Sequence, residues 1–171
     1  MSTRPRIALP VGLLLVMMAG SLAYLIYFGA AFPPRMAVHF TQAGEPDGWM
    51  DRLMFIVLAS SMTFMVPPFL VAALGVMPRV MPGSVLNIPN RDFWLAPERR
   101  DAMLSNVLYY ALWLGCLVEA LLIAVNVMIA QANPPGAVAH LTPWHAAVVV
   151  VFLGGMTVWV WSFFRAFAKP R

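Results

Sequence analysis

The sequence predicts an all-α integral membrane protein with four transmembrane helices and both termini in the cytoplasm, on three observations. Hydrophobic residues fill 61% of the 171 positions and charged residues only 11%, far from the composition of water-soluble domains. The charges are also gathered. None lies between Arg6 and Arg35, none between Arg52 and Arg79, and only Glu119 between Asp101 and Arg165. Finally, the basic residues are shared unevenly between the loops, which sets orientation.

A hydrocarbon core of ~30 Å takes about 20 helical residues, so the first two gaps are each crossed once and the third is long enough to be crossed twice. The expected helices cover 7–28, 53–77, 104–130 and 144–167, within one membrane domain over 1–171. An outer loop at 33–52 and a cytoplasmic loop at 78–103 separate them. These runs are apolar on every face instead of alternating, which excludes a membrane barrel. The first run exceeds the apolar core of about 7–15 residues found in signal peptides, so it reads as a retained helix.

Orientation follows from the 11 Lys and Arg residues. The first loop holds Arg35 and Arg52 and the third holds none. Arg4 and Arg6 precede the first helix, Arg79, Arg91, Arg99 and Arg100 fall in the second loop, and Arg165, Lys169 and Arg171 close the chain. The basic side is the cytoplasmic one. The net charge of +4 is thereby accounted for by topology and by contact with anionic headgroups, and nothing points to nucleic acid. Cys116, the single cysteine, and the 13 methionines read as packing residues in an apolar setting.

The outer loop is no generic linker. Pro33-Pro34 stops the first helix, and Val38-His39-Phe40 can run extended behind it. Gly44-Glu45-Pro46-Asp47-Gly48 is then rich in turn formers, with glycines that permit positive φ and a fixed proline dihedral. The loop is expected to be ordered, with Trp49 at the membrane surface. His39-Phe40, followed after a short gap by Gly44-Glu45-Pro46-Asp47-Gly48, resembles the signature of a bacterial membrane family of unknown function. That family is related to the N-terminal module of sporulation-delaying-protein (SdpI-type) toxin immunity proteins. The resemblance extends over the opening helix pair and its loop, and into Asn87 to Arg100 of the second loop. It implies a multi-pass protein of the bacterial cytoplasmic (inner) membrane whose candidate ligand-binding residues are His39, Gly44, Glu45, Asp47 and Gly48. The longer immunity proteins carry more helices than the four expected here, and what the resemblance implies is the shared module.

In the cytoplasmic loop, Pro97 followed by Glu98 suits the first turn of a helix, where proline has no N–H to lose and an acid favours the positive dipole end. The third helix is thus expected to begin before the bilayer. Phe93 and Trp94 are expected at the inner interface, with Arg91, Arg99 and Arg100 reaching lipid phosphates.

Glu119 lies near the middle of the third helix, where a charge costs a few kcal/mol or more, so it should face protein and carry a proton. Gly115, Glu119, Leu122 and Asn126 share one helical stripe that points at another helix. Pro67 and Pro68 in the second helix remove two backbone donors. Glu119 is therefore expected to donate to a freed carbonyl at Thr63 or Phe64. A proton or cation relay through Glu119 is the functional alternative.

His39, His140 and His145 all fall on the outer side without tight ligand spacing, which makes them weak metal candidates beside Glu45 and Asp47. His39 has a simpler expected role, a hydrogen bond to Asp47 that organises the loop. No nucleophile, phosphate-loop or cofactor motif appears, so no cofactor is expected. The leading expectation is a small membrane protein that binds an outer-side peptide or other ligand through the His39 to Gly48 loop. An accessory subunit docked on a membrane-protein partner is the second, and a metal-dependent membrane enzyme the third.

Overall fold

The computed structural model describes residues 7–168; Arg4, Arg6, Lys169 and Arg171, used above for orientation, lie outside the described residues. Helix α1 runs Ala8–Gly29, strands β1 and β2 cover Arg35–Phe40 and Pro46–Asp51, and α2 covers Arg52–Leu70. A four-residue helix α3, Arg91–Trp94, precedes the long α4, Pro97–Ala132, and α5 covers His145–Ala166. Four helices are long and apolar enough to cross a membrane, α2 counting through Arg79. The chain is a multi-pass membrane protein built from them, and its two-stranded antiparallel hairpin is a small addition.

Observed and expected bounds differ where end chemistry decides. Helix α4 begins at Pro97 with Glu98 in its first turn, as their order suggested, and its 36 residues reach about 54 Å at 1.5 Å each, well beyond the hydrocarbon core. It stops at Ala132, before Asn133 and two prolines. Helix α2 stays α-helical through Pro67 and Pro68, then widens into a π-helical stretch at Val71–Val76 and tightens at Met77–Arg79. Two successive prolines withdraw two donors, and the chain re-forms its bonds in a wider register.

Helix α4 is the central post. Its Gly115 lets α1 and α2 approach: a Cβ there would lie 3.2 Å from Val71 and 3.3 Å from Leu14. Gly75 does the same from the other side, where a Cβ would meet Leu108 at 2.9 Å and Ala111 at 3.0 Å. The α2 side of this seam is a four-residue repeat of buried positions, Phe55, Ala59, Thr63 and Pro67. Helix α1 supplies Leu14, Met18, Ser21 and Leu25. Such close-packed small and polar residues replace the hydrophobic drive that lipid cannot supply between helices.

Helix α5 packs on α4 through aromatic rings and buries no residue fully. Tyr110 Oη donates to the Ser162 carbonyl at 3.0 Å, and Trp159 Nε1 donates to the Tyr110 carbonyl at 2.9 Å. Trp159 stacks on Phe163 with 5.5 Å between ring centroids.

The two ends of the bundle differ. At one, the hairpin meets the α4–α5 connection; at the other, the 78–103 segment folds under the C-terminal end of α5. There Leu86, Trp94, Met103, Val107 and Phe167 form a buried cluster. Trp94 Nε1 and Asn90 Nδ2 both donate to the Phe167 carbonyl, at 3.0 and 2.8 Å. Trp94 is therefore a packing residue of the protein interior, a correction to its expected place at the lipid interface. A covered side chain with a satisfied indole N–H gains more inside than at the headgroups. Arg99 lies over the Phe93 ring at 4.1 Å and donates to the Phe93 carbonyl, while Arg100 donates to the Met81 carbonyl at 3.4 Å. These two cations are half-buried and tie the loop together, whereas Arg91 is exposed.

Candidate binding site on the hairpin

The hairpin residues come from the turn-rich segment. Strands β1 and β2 pair Arg35 with Asp51, Met36 with Met50 and Ala37 with Trp49, after which the register slips. Pairing resumes at His39 with Gly48, leaving Val38 as an extra residue in β1, and at Phe40 with Pro46, leaving Asp47 extra in β2. Paired slips of this kind re-aim side chains. Here His39 Nδ1 donates to Asp47 Oδ1 at 2.5 Å, the bond expected from the sequence, and both side chains remain solvent-facing. Gly48 makes room for it, since a Cβ there would lie 2.7 Å from the His39 Cβ.

The hairpin is held at its base, its edge and its tip. At the base, Arg52 Nη1 donates to the carbonyls of Ala30 and Phe32, and the Arg52 N–H to that of Pro34. Along the edge, the Asn133 side chain acts as a one-residue strand: its Oδ1 accepts from the Ala37 N–H at 2.7 Å and its Nδ2 donates to the Ala37 carbonyl at 2.9 Å. At the tip, Gly44 has φ +82° and its carbonyl accepts from the Leu141 N–H at 2.9 Å. A Cβ at Gly44 would lie 2.8 Å from the Leu141 carbonyl and 2.9 Å from His140 Cε1. Gly44→Ala is therefore expected to strain the turn and lift it off the α4–α5 connection, read as faster hydrogen exchange at the Leu141 amide; unchanged exchange would count against this account.

The structure thus brings His39, Gly44, Glu45, Asp47 and Gly48 into one hairpin, with Glu45 exposed in its turn. It adds His140, which the turn touches, and Asn133, which sequence reading missed. The only sequence signal for Asn133 is its place between an apolar helix and two prolines. His145 is separate, its Nδ1 donating to the Thr142 carbonyl at the start of α5. Among the described residues no three His, Cys, Asp or Glu side chains gather where they could hold a metal ion.

Glu119 and Asn126 are buried on α4. Glu119 makes no hydrogen bond to the Thr63 or Phe64 carbonyl, a correction to the expected donation. Its neighbour on α2 is the Thr63 side chain, whose hydroxyl pairs with Ser21 Oγ at 3.2 Å.

Residues 16–64 match a family model described as a domain of unknown function (DUF1648). The matched span covers most of α1, the whole hairpin and α2 as far as Phe64. The chain is similar to that family over the unit that carries the His39–Asp47 pair, while Glu119 and Asn133 lie beyond the match. Comparisons with curated proteins and with solved structures find no match.

Proposed function

We propose that this protein binds an extended peptide at the outer face of a bacterial cytoplasmic membrane, using the hairpin as its recognition element. The observation that carries the reading is the His39–Asp47 pair: two polar side chains kept exposed on a hairpin that is itself clamped at base, edge and tip. Rigid presentation lowers the ordering cost of binding. Asn133 occupies the free side of β1, while the outer edge of β2 pairs with no strand among the described residues and offers its backbone to an added strand. Glu45, Asp47 and Asp51 give that edge an acidic character, which favours a peptide carrying positive charge. The resemblance of 33–52 to the module of SdpI-type immunity proteins also supports a peptide ligand. Exposed Arg91 would anchor the opposite end to lipid phosphates.

The test is to pan a displayed library of short random peptides on the protein held in nanodiscs. Basic, extended sequences are expected to be enriched. Their affinity for His39→Ala and Asp47→Ala should fall on the order of tenfold or more, as loss of a central contact does, with the bundle's thermal unfolding unchanged. Recovered peptides that bind both variants as well as the unaltered protein would refute the assignment.

A further inference from the structure

The transmembrane seam contains an arrangement that peptide binding does not use. Glu119 is fully buried, and its carboxylate oxygens meet no donor at full hydrogen-bonding geometry among the described residues, the Thr63 side chain being a group that interacts with them. The carboxylate faces Thr63, which is likewise fully buried, and the Thr63 hydroxyl is paired with the buried Ser21. Helices α1, α2 and α4 thus each contribute oxygen to one chain of buried groups, with Thr63 between Ser21 and Glu119. Backbone oxygen adds to it: with prolines at 67 and 68, the carbonyls of Thr63 and Phe64 have no N–H four residues on. Thr63 and Pro67 are both fully buried on the same stripe, so the Thr63 carbonyl that spans them lies on that stripe as well.

The charge at this point is unbalanced. Glu119 is the only charged residue between Asp101 and Arg165, and neither the 7–34 nor the 53–78 segment contains one. The Arg and His residues of the spanning helices, Arg52, Arg79, Arg99, Arg100, His145 and Arg165, lie at or near helix ends, and none is paired with this mid-helix carboxylate. A buried charge without a partner is strongly disfavoured, and one carboxylate balances one positive unit; a divalent ion would leave an excess charge in hydrocarbon. Carboxylate, hydroxyl and carbonyl oxygens are all hard donors, which suit hard cations and not soft ones.

We propose that Glu119, Ser21 and Thr63, with the Thr63 carbonyl freed by Pro67, form an intramembrane binding site for a small monovalent metal cation of the sodium class. The ion joins α1, α2 and α4 at one point. Toward the hairpin, the same seam continues into Leu25, Phe55 and Ala59, which pack with Phe32 and Met36 at the hairpin base. Occupancy therefore stiffens the support on which the hairpin rests.

The experiment uses the full chain in uncharged-lipid nanodiscs, with sodium as the probe. Thermal unfolding is followed in sodium chloride and in choline chloride of equal ionic strength, alongside binding of radiolabelled sodium. Sodium should raise the unfolding temperature saturably, as any ligand of the folded state does, and should bind to saturation. Glu119→Gln, which keeps the shape and removes the charge, should abolish both effects. Ser21→Ala and Thr63→Ala should each weaken sodium binding roughly tenfold, as loss of a supporting group does in other metal sites. Equal unfolding in the two salts without sodium binding would show that Glu119 is simply protonated, and would overturn the proposal. Sodium binding that persists in Glu119→Gln would place any site elsewhere and overturn it too. Should Glu119→Gln fail to insert, unchanged sodium affinity in both Ser21→Ala and Thr63→Ala would be decisive against it.

Discussion

Asn133→Ala is expected to destabilise the protein by roughly 2–6 kcal/mol and to loosen the hairpin before the bundle. The Asn133 amide partners both the N–H and the carbonyl of Ala37, and its Nδ2 also reaches the Ile129 carbonyl at 2.8 Å. Ala37 is fully buried, so water cannot replace what is lost. A buried backbone group left unpaired costs ~1–3 kcal/mol, and here two are orphaned together. The measurement is unfolding in mixed micelles, with hydrogen exchange at the Ala37 amide as the local readout. Exchange unchanged from the parent would show that the hairpin holds without this clamp. Peptide affinity should fall with it, since the clamp fixes the strand that carries His39.

Trp94→Ala is expected to have a comparable effect at the other end, about 3–5 kcal/mol, the usual range for removing a buried large aromatic side chain. The indole packs edge-on against Phe167 at 5.6 Å between ring centroids and donates to its carbonyl. Its loss opens a cavity where the 78–103 segment meets the end of α5. Trp94→Phe should recover most of the stability, losing chiefly one hydrogen bond worth about 1 kcal/mol. Trp161→Ala is the control: that ring is 60% exposed and carries the Arg165 guanidinium above it, so its removal should cost less than about 1 kcal/mol. Equal losses at Trp94 and Trp161 would mean that Trp94 behaves as a lipid-facing residue.

Some of the candidate sites were legible in the residues and some were not. The His39–Asp47 bond could be expected because the two lie eight residues apart across a turn whose chemistry is explicit in Gly44, Pro46 and Gly48. The slips at Val38 and Asp47 that aim the pair could not, because a bulge leaves no separate mark in a short polar segment. Glu119 stood out as an acid in an apolar run, and Gly115 as a close-approach residue on its face. Ser21 and Thr63 did not stand out. Within one helix a hydroxyl commonly bonds to the carbonyl four residues back, as Ser61 and Thr157 do, and only the helix crossing distinguishes a hydroxyl that reaches across.

The sequence by itself determined the four spans and their order, because hydrophobicity acts on each segment independently of the others. It also determined the start of α4 at Pro97, a matter of local backbone chemistry. What only the tertiary structure decided is every contact between distant segments: Asn133 as a stand-in strand for Ala37, Trp94 under Phe167, and three helices meeting at Glu119. In lipid the apolar faces of helices are nearly interchangeable. Which faces meet is therefore set by close approach at Gly75 and Gly115 and by a few polar pairings, and these exist only once the helices have been brought together.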